Sequence, residues 1–267
     1  MLIIGERINT SRETIATAVK NRDAALIQRE AQQQVEAGAD YLDVNCGTLL
    51  KEEAAYFAWL VDTVQEAVEV PLCLDSPNPE VIRAGLERHR HGVPLINSIT
   101  NEPERMESLL PLAQEYGAKV VALCLGAGGS LPHSKEERVA EAQSLIATLT
   151  QGGLALEDLY VDPVVCPVST DSMAGAAVLE ALREIRIQYP GVHLICGLSN
   201  ISFGLPQRRL LNQNFLVMCL AAGLDAALMD PLDQRLRSNI LAAEVLLGRD
   251  EFAVNYVTAH RAGRLTL

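Results

Sequence analysis

Eight short apolar runs, separated by longer amphipathic stretches, constrain this chain more than any other feature of its sequence. The runs lie at residues 2–5, 41–44, 71–74, 94–96, 119–125, 159–161, 192–196 and 225–229. They are near-continuous rather than alternating, the pattern of parallel strands covered on both faces. Helical spacing fills the intervals. Phe57, Leu60, Val61, Val64 and Val68 share one face of a 3.6-residue repeat, as do Val178, Ala181, Leu182 and Ile185. Gly38, Gly117 and Gly223 each stand just before a strand, where helices commonly end in a left-handed residue. Eight βα units in 267 residues, with no linker, repeat or low-complexity segment, predict a single (β/α)8 TIM barrel over residues 1–267. A doubly wound open sheet is the alternative architecture. Residues beyond about Gly248 are expected to form a terminal helix, packed on the barrel or against a second subunit.

Composition excludes several classes of function. A net charge of −12 argues against non-specific binding to nucleic acid or an anionic membrane. No apolar run approaches the length of a membrane span, and the opening Met1-Leu2-Ile3-Ile4-Gly5 is too short for a signal-peptide core. Cys46, Cys73, Cys124, Cys166, Cys196 and Cys219 stand singly, several inside apolar runs, with no C-x-x-C pair. Reduced core thiols in a cytoplasmic protein are therefore expected, rather than disulfides or a metal cluster.

Chemistry in such a barrel collects at the C-terminal ends of its strands, and here those ends are polar. They read Glu6, Arg7 and Asn9; Asp43 and Asn45; Asp75-Ser76; Asn97-Ser98; Asp162-Pro163; Gly197-Leu198-Ser199-Asn200; and Asp230-Pro231. Any one of these aspartates fits ordinary helix capping. Together they describe a cup of acceptors suited to a neutral ligand rich in N–H groups. Lys20, Lys51, Lys119 and Lys135 do not end strands, which disfavours a Schiff-base aldolase. His89, His91 and His193 precede strands, and only His133, in the loop after the fifth run, falls near the mouth, with His260 in the tail. A histidine-rich metal centre is therefore not expected. Gly126-Ala127-Gly128-Gly129 lacks a lysine at P-loop spacing and reads as a rim loop.

The segment Gly197-Leu198-Ser199-Asn200-Ile201-Ser202-Phe203 resembles the pterin-binding methyltransferases. Leu74-Asp75-Ser76, Ile96-Asn97-Ser98, Val161-Asp162-Pro163 and the opening Ile4-Gly5-Glu6-Arg7-Ile8-Asn9 extend the resemblance over nearly the whole chain. It is greatest to the methyltetrahydrofolate:corrinoid/iron–sulfur protein methyltransferases and the folate domain of cobalamin-dependent methionine synthases. The resemblance implies a homodimer with tetrahydrofolate or 5-methyltetrahydrofolate as substrate in the barrel mouth. Asp75, Asn97 and Asp162 would then hold the pterin ring, Gly197 and Ser199 would let the chain approach it, and Asn200 would reach N5. Glu6, Asp43, Asn45 and Ser98 would support these groups, and Arg208 would meet the aminobenzoyl-glutamate tail. Methyl transfer would exchange the group between N5 and the cobalt of a corrinoid on a transient partner protein. The chain itself carries no Asp-x-His-x-x-Gly corrinoid motif. Nothing aligns beside Asn200 as a direct acid, so the proton for N5 is expected through water or a neighbouring carboxylate. Two rivals remain. One is a dihydropteroate synthase-like enzyme, which uses a lysine and an arginine near the late strands for its diphosphate leaving group, whereas the seventh strand here ends in Gly-Leu-Ser-Asn with no lysine. The other is a folate-binding subunit with no catalysis of its own.

Overall fold

The computed structural model describes residues 1–49 and 53–266, so Lys51 lies outside the described residues. Its strands are β1 (Leu2–Asn9), β2 (Tyr41–Asn45), β3 (Leu72–Asp75), β4 (Leu95–Ile99), β5 (Lys119–Leu123), β6 (Leu159–Asp162), β7 (His193–Leu194) and β8 (Ala226–Met229). All pair in parallel in the order β7-β6-β5-β4-β3-β2-β1-β8. The ring closes where Asp225 N donates to Leu194 O at 3.2 Å and Leu228 N donates to Cys196 O at 3.0 Å. This is the expected (β/α)8 barrel, not the open sheet. The helices of the described residues are α1 (Glu13–Lys20), α2 (Ala24–Glu36), α3 (Glu53–Gln65), α4 (Pro79–Leu86), α5 (Pro103–Tyr116), α6 (Lys135–Gln151), α7 (Ala174–Gln188), α8 (Arg208–Ala221), α9 (Gln234–Leu246) and α10 (Val254–Arg261). The expected terminal helix is α10, which packs on α9 and buries Ala259. None of the described helices is long and apolar enough to cross a membrane.

Two strands differ from their apolar runs. β1 continues past residue 5 through Glu6 and Arg7 to Asn9, because its backbone regains β2 after a register shift, pairing Ile8 with Val44 and Asn9 with Asn45. β7 keeps a regular ladder only at His193–Leu194. Beyond it, Ile195 N donates to Val161 O at 3.0 Å, and Gly197 forms an isolated bridge with Leu228.

The barrel interior is plugged by one apolar cluster drawn from all eight strand segments: Ile4, Tyr41, Cys73, Leu95, Val121, Tyr160, Ile195 and Ala226. Below it, at the strand starts, His193 stacks on Tyr160 with ring centroids 4.6 Å apart, and Lys119 Nζ lies 3.4 Å from the Tyr160 hydroxyl. A second, larger core fills the space between sheet and helices. Phe57, Leu60, Val61 and Val64 of α3 and Val178, Ala181, Leu182 and Ile185 of α7 are all fully buried there. All six cysteines are buried free thiols. Gly117 ends α5 at φ 58°, a conformation that costs glycine little and turns the chain directly into β5.

Gly85 of α4 shows how tightly this layer is packed. A methyl group on its Cα would stand 2.6 Å from Phe57 Cε1. Alanine favours a helix over glycine by about 1 kcal/mol, but overpacking a buried ring costs about 1–3 kcal/mol. Gly85→Ala is therefore expected to destabilise the protein by roughly 1 kcal/mol net in urea unfolding. In a Phe57→Leu background the same change should cost less. A stabilising Gly85→Ala in the wild-type background would show that the ring has room to move.

Candidate active site

Successive side chains on a strand face opposite ways, so the residue two positions beyond each interior plug residue also points into the barrel. That step leads from Ile4 to Glu6, Tyr41 to Asp43, Cys73 to Asp75, Leu95 to Asn97 and Tyr160 to Asp162. It leads from Ile195 to Gly197 and from Ala226 to Leu228. All seven destinations line one cavity of about 460 Å³ at the C-terminal mouth. On β5 the same step from Val121 lands on Leu123, which does not line it.

Loops complete the wall. Asn9, Ser11 and Arg12 come from the end of β1 and the turn after it, Ser199 and Asn200 from the 3-10 turn Leu198–Ser202, and Arg208 from the start of α8. Asn200 folds back over Gly197, where a Cβ would lie 3.2 Å from Asn200 Nδ2. A larger residue at 197 would crowd that carboxamide. The Asn200 side chain makes no hydrogen bond with any described residue, so both ends of its amide are available to a ligand. Arg208 is partly committed: Nη2 donates to Ser199 O at 2.7 Å and Nε to Ser202 Oγ at 3.1 Å.

Of the residues singled out in the sequence, Glu6, Asp43, Asp75, Asn97, Asp162, Gly197, Ser199, Asn200 and Arg208 are brought together. Asn45 and Ser98 do not line the cavity. Asn45 stands behind Asp75, donating through Nδ2 to Asp75 Oδ2 at 2.8 Å while its Oδ1 accepts from Gly47 N at 2.9 Å. Ser98 is buried, and its carbonyl accepts from Arg105. Arg7 also leaves the polar ring, pairing with Glu30 and with Asp230 at 2.8 Å. His133 sits exposed on the rim loop.

Sequence reasoning missed Arg12 and Arg138. Arg138 lies in the first turn of α6, where the sequence Lys135-Glu136-Glu137-Arg138 reads like a solvent face, yet it is fully buried. Its Nε and Nη2 donate to Val164 O at 3.4 and 3.3 Å, and Nη1 donates to Ser134 O at 2.9 Å. Val164 has φ 63°, a strained conformation for a β-branched residue. Its N–H donates to Asp162 Oδ1 at 2.8 Å. Arg138 thus fixes the turn that aims Asp162 into the cavity.

Burial dominates the electrostatics. Desolvation pushes Asp162 up to about 7 against the opposing hydrogen bonds from the Val164 and Gly197 backbones. It pushes Asp75 up to about 6, against the hydrogen bond from Asn45 and the field of Arg105. Asp43, only 1% exposed, is raised by burial and then by the nearby Asp75 carboxylate. Glu6 rises to about 7 through desolvation and the charge of Asp230, opposed by the Ser199 hydroxyl, which donates to Glu6 Oε2 at 3.2 Å, and by Arg208 and Arg12. Burial thus raises all four carboxyls of the cavity wall, a property common at functional sites.

A carboxyl whose folded pKa is raised stabilises the fold below its unfolded value and loses that contribution as pH climbs through the folded value. For Asp162 the window runs from the ordinary 3.8 to about 7. Asp162→Asn is therefore expected to stabilise the ligand-free protein at pH 8 by on the order of 1–4 kcal/mol, and by much less at pH 4. Thermal unfolding at the two pH values reads this directly. An equal effect at both would show that desolvation of this carboxyl is not what the fold opposes.

Comparison with known proteins bears on the family and the fold. The family of pterin binding enzymes matches residues 5–230. A methylcorrinoid:tetrahydrofolate methyltransferase from Eubacterium limosum is 38% identical over 99% of this chain and 98% of its own length. The methionine synthase of Mycobacterium tuberculosis is 32% identical over 86% of this chain, which corresponds to 20% of that larger protein. Dihydropteroate synthases share the fold at low identity. That of Yersinia pestis superposes with a TM-score of 0.68 at 18% identity over 92% of this chain and 93% of its own. That of Stenotrophomonas maltophilia gives 0.69 at 20% over 94% and 93%. With its barrel, its acid-lined mouth and a family match running from β1 to the end of β8, the chain belongs to the pterin-binding enzymes.

Proposed function

We propose that this protein is a methyltransferase that moves a methyl group between N5 of tetrahydrofolate and the cobalt of a corrinoid carried on another protein. The observation that carries this reading is the pairing of a buried acid–amide layer with an uncommitted Asn200 on its rim. A pterin presents its amino group and ring N–H groups along one flat edge, and carboxylates and carboxamides are the acceptors such an edge needs. Asp75, Asn97 and Asp162 accept that edge, with Asp43 and Asn45 holding the acceptors in place. Gly197 and Ser199 give the ring room. The identity with the Eubacterium limosum enzyme, named for this transfer, supports the same reading.

An amine is a poor leaving group, so N5 must gain a proton as its bond to the methyl breaks. Asn200 accepts the N5–H through its carbonyl and favours the charged form as it develops. Glu6 is the group that exchanges the proton: burial raises its carboxyl to about 7, and its Oε2 lies 3.2 Å from the hydroxyl of Ser199, the residue next to Asn200. The corrinoid, when delivered, supplies the metal that takes or gives the methyl. In the opposite direction the same groups return the proton from N5 to Glu6. The protein works as a homodimer in the cytoplasm, and its corrinoid-bearing partner docks transiently at the open mouth. A dihydropteroate synthase reading requires a lysine after β7 for a diphosphate. The residues there are Gly197, Leu198, Ser199 and Asn200.

Two measurements test this function. Stopped-flow methyl transfer from methyltetrahydrofolate to reduced cobalamin should be catalysed by the chain alone. Asn200→Ala should depress the saturated rate far more than the affinity, because its contact strengthens as N5 charges. A loss confined to affinity contradicts the role given to Asn200, and absence of transfer with intact folate binding leaves only a binding subunit. Asp75→Ala or Asp162→Ala should weaken folate binding by roughly 1.5–3 kcal/mol each, the scale of hydrogen bonds to charged groups. Unchanged dissociation constants would remove both from the pterin site.

A further inference from the structure

A cavity of about 380 Å³ lies at the end of the barrel opposite the mouth, where Met1 leads into β1 and Asp40 into β2. Its other walls are one face of α9, from Arg237 to Glu244, and the side of α10 that carries Asn255 and Thr258. The size falls in the range of small-molecule sites, which begins at about 300 Å³. Nothing in the methyl-transfer reading uses this space.

The charges on these walls are unequally matched. Glu244 lies 3.8 Å from the Met1 amine and accepts from Arg249 Nη1 at 3.5 Å, while Arg249 Nη2 donates to Leu220 O at 3.1 Å. Asp250 accepts from the Asn255 and Tyr256 amides at 3.0 and 2.9 Å, and Asp40 accepts from Ile3 N at 2.7 Å. Arg237 and Arg264 line the same cavity, yet neither side chain makes a hydrogen bond or ion pair with any described residue. Both are held in place. Arg237 Nη2 packs on Gly38, where φ is 91° and a Cβ would stand 3.2 Å from that nitrogen. Arg264 follows Gly263 at φ 66°, and its N–H donates to Ala259 O at 2.9 Å to close the end of α10. Two residues on, Thr266 N donates to Ser238 Oγ at 2.8 Å, so the backbone of Arg264 is pinned on both sides. Burial, and then the charge of Arg264, hold the Arg237 guanidinium below its ordinary pKa. On a chain of net charge −12, two fixed guanidiniums face one cavity and neither has an acid of its own.

We propose that this cavity is a binding site for a phosphate group, clamped between Arg237 and Arg264. A carboxylate offers one charge and two oxygens, which a single guanidinium fork satisfies. A phosphate brings nearly two charges at neutral pH and enough oxygens for two forks. The Asn255 carboxamide, which makes no hydrogen bond with any described residue, and the apolar Ile240 line the remaining space, which suits the rest of a small phosphomonoester. A phosphate held there joins α9 to the segment after α10, and so fastens the terminal helix to the floor of the barrel. The site is independent of the folate reading, since it lies at the other end of the barrel from Asn200.

Calorimetric titration of the full chain with inorganic phosphate and with phenyl phosphate, against chloride of matched ionic strength, tests the site. Both should bind saturably, and Arg237→Ala and Arg264→Ala should each weaken binding at least about tenfold, the scale of a hydrogen bond between charged groups. Arg264→Lys keeps the charge without the fork and should recover only part of the loss. Without phosphate, the unfolding midpoint of Arg264→Ala should hold or rise, because removing one of two like charges relieves their repulsion. A fall would make Arg264 a brace of the fold rather than half of a clamp. Tighter binding of phenyl phosphate assigns the site to a monoester, and equal affinities assign it to the free ion. Absence of saturable binding by both, binding unchanged in the two alanine variants, or tighter binding of succinate than of either phosphate overturns the site.

Discussion

A closed parallel barrel delivers alternate residues of every strand to one narrow interior, and the rest of this structure depends on that alternation. Tyr41, Cys73, Leu95 and Tyr160 pack into a dry plug, and Asp43, Asp75, Asn97 and Asp162 must then lie directly above it. No loop has to be steered to bring these polar groups together. The same geometry removes water from their lower side, so the plug that stabilises the barrel also desolvates the site built on it.

The consequence is electrostatic. Burial opposes ionisation of Asp162, Asp75 and Asp43, and the Asp43–Asp75 pair opposes it further. The empty barrel therefore keeps protons that free carboxyls would release. A ligand edge rich in N–H groups replaces the missing water and restores the advantage of the ionised form. Binding energy and proton release are thereby linked, and a ligand of this donor pattern is favoured over an anion. Glu6 differs from the others. Burial and the charge of Asp230 raise it, while Arg208, Arg12 and the Ser199 hydroxyl pull the other way at the edge of the cavity, so this carboxyl is poised to give up its proton as well as to hold it.

The barrel was legible because buried parallel strands leave continuous apolar runs, and the runs at 41–44, 71–74 and 159–161 end one residue before Asn45, Asp75 and Asp162. Legibility failed where polarity and backbone pairing part company. The run at 2–5 stops before Glu6, whereas β1 continues to Asn9. Without that extension nothing in the sequence tells Glu6, which faces the cavity, from Arg7, which faces Glu30 and Asp230. Arg138 was hidden for a different reason. Its burial follows from the strained turn at Val164, a tertiary feature with no local signature. Asn45 and Ser98 sit at strand ends like their neighbours, but one braces Asp75 and the other turns into the protein.

The central claim is that a pterin edge ionises carboxyls which the empty barrel holds protonated. Calorimetric binding of methyltetrahydrofolate in buffers of different ionisation enthalpy measures the protons exchanged. The account predicts net proton release at pH 6, fading above pH 8 and largely lost in Asp162→Asn, with affinity rising through about pH 7 as Asp162 becomes easier to ionise. Net proton uptake on binding at pH 6, or an exchange that Asp162→Asn leaves untouched, would contradict it.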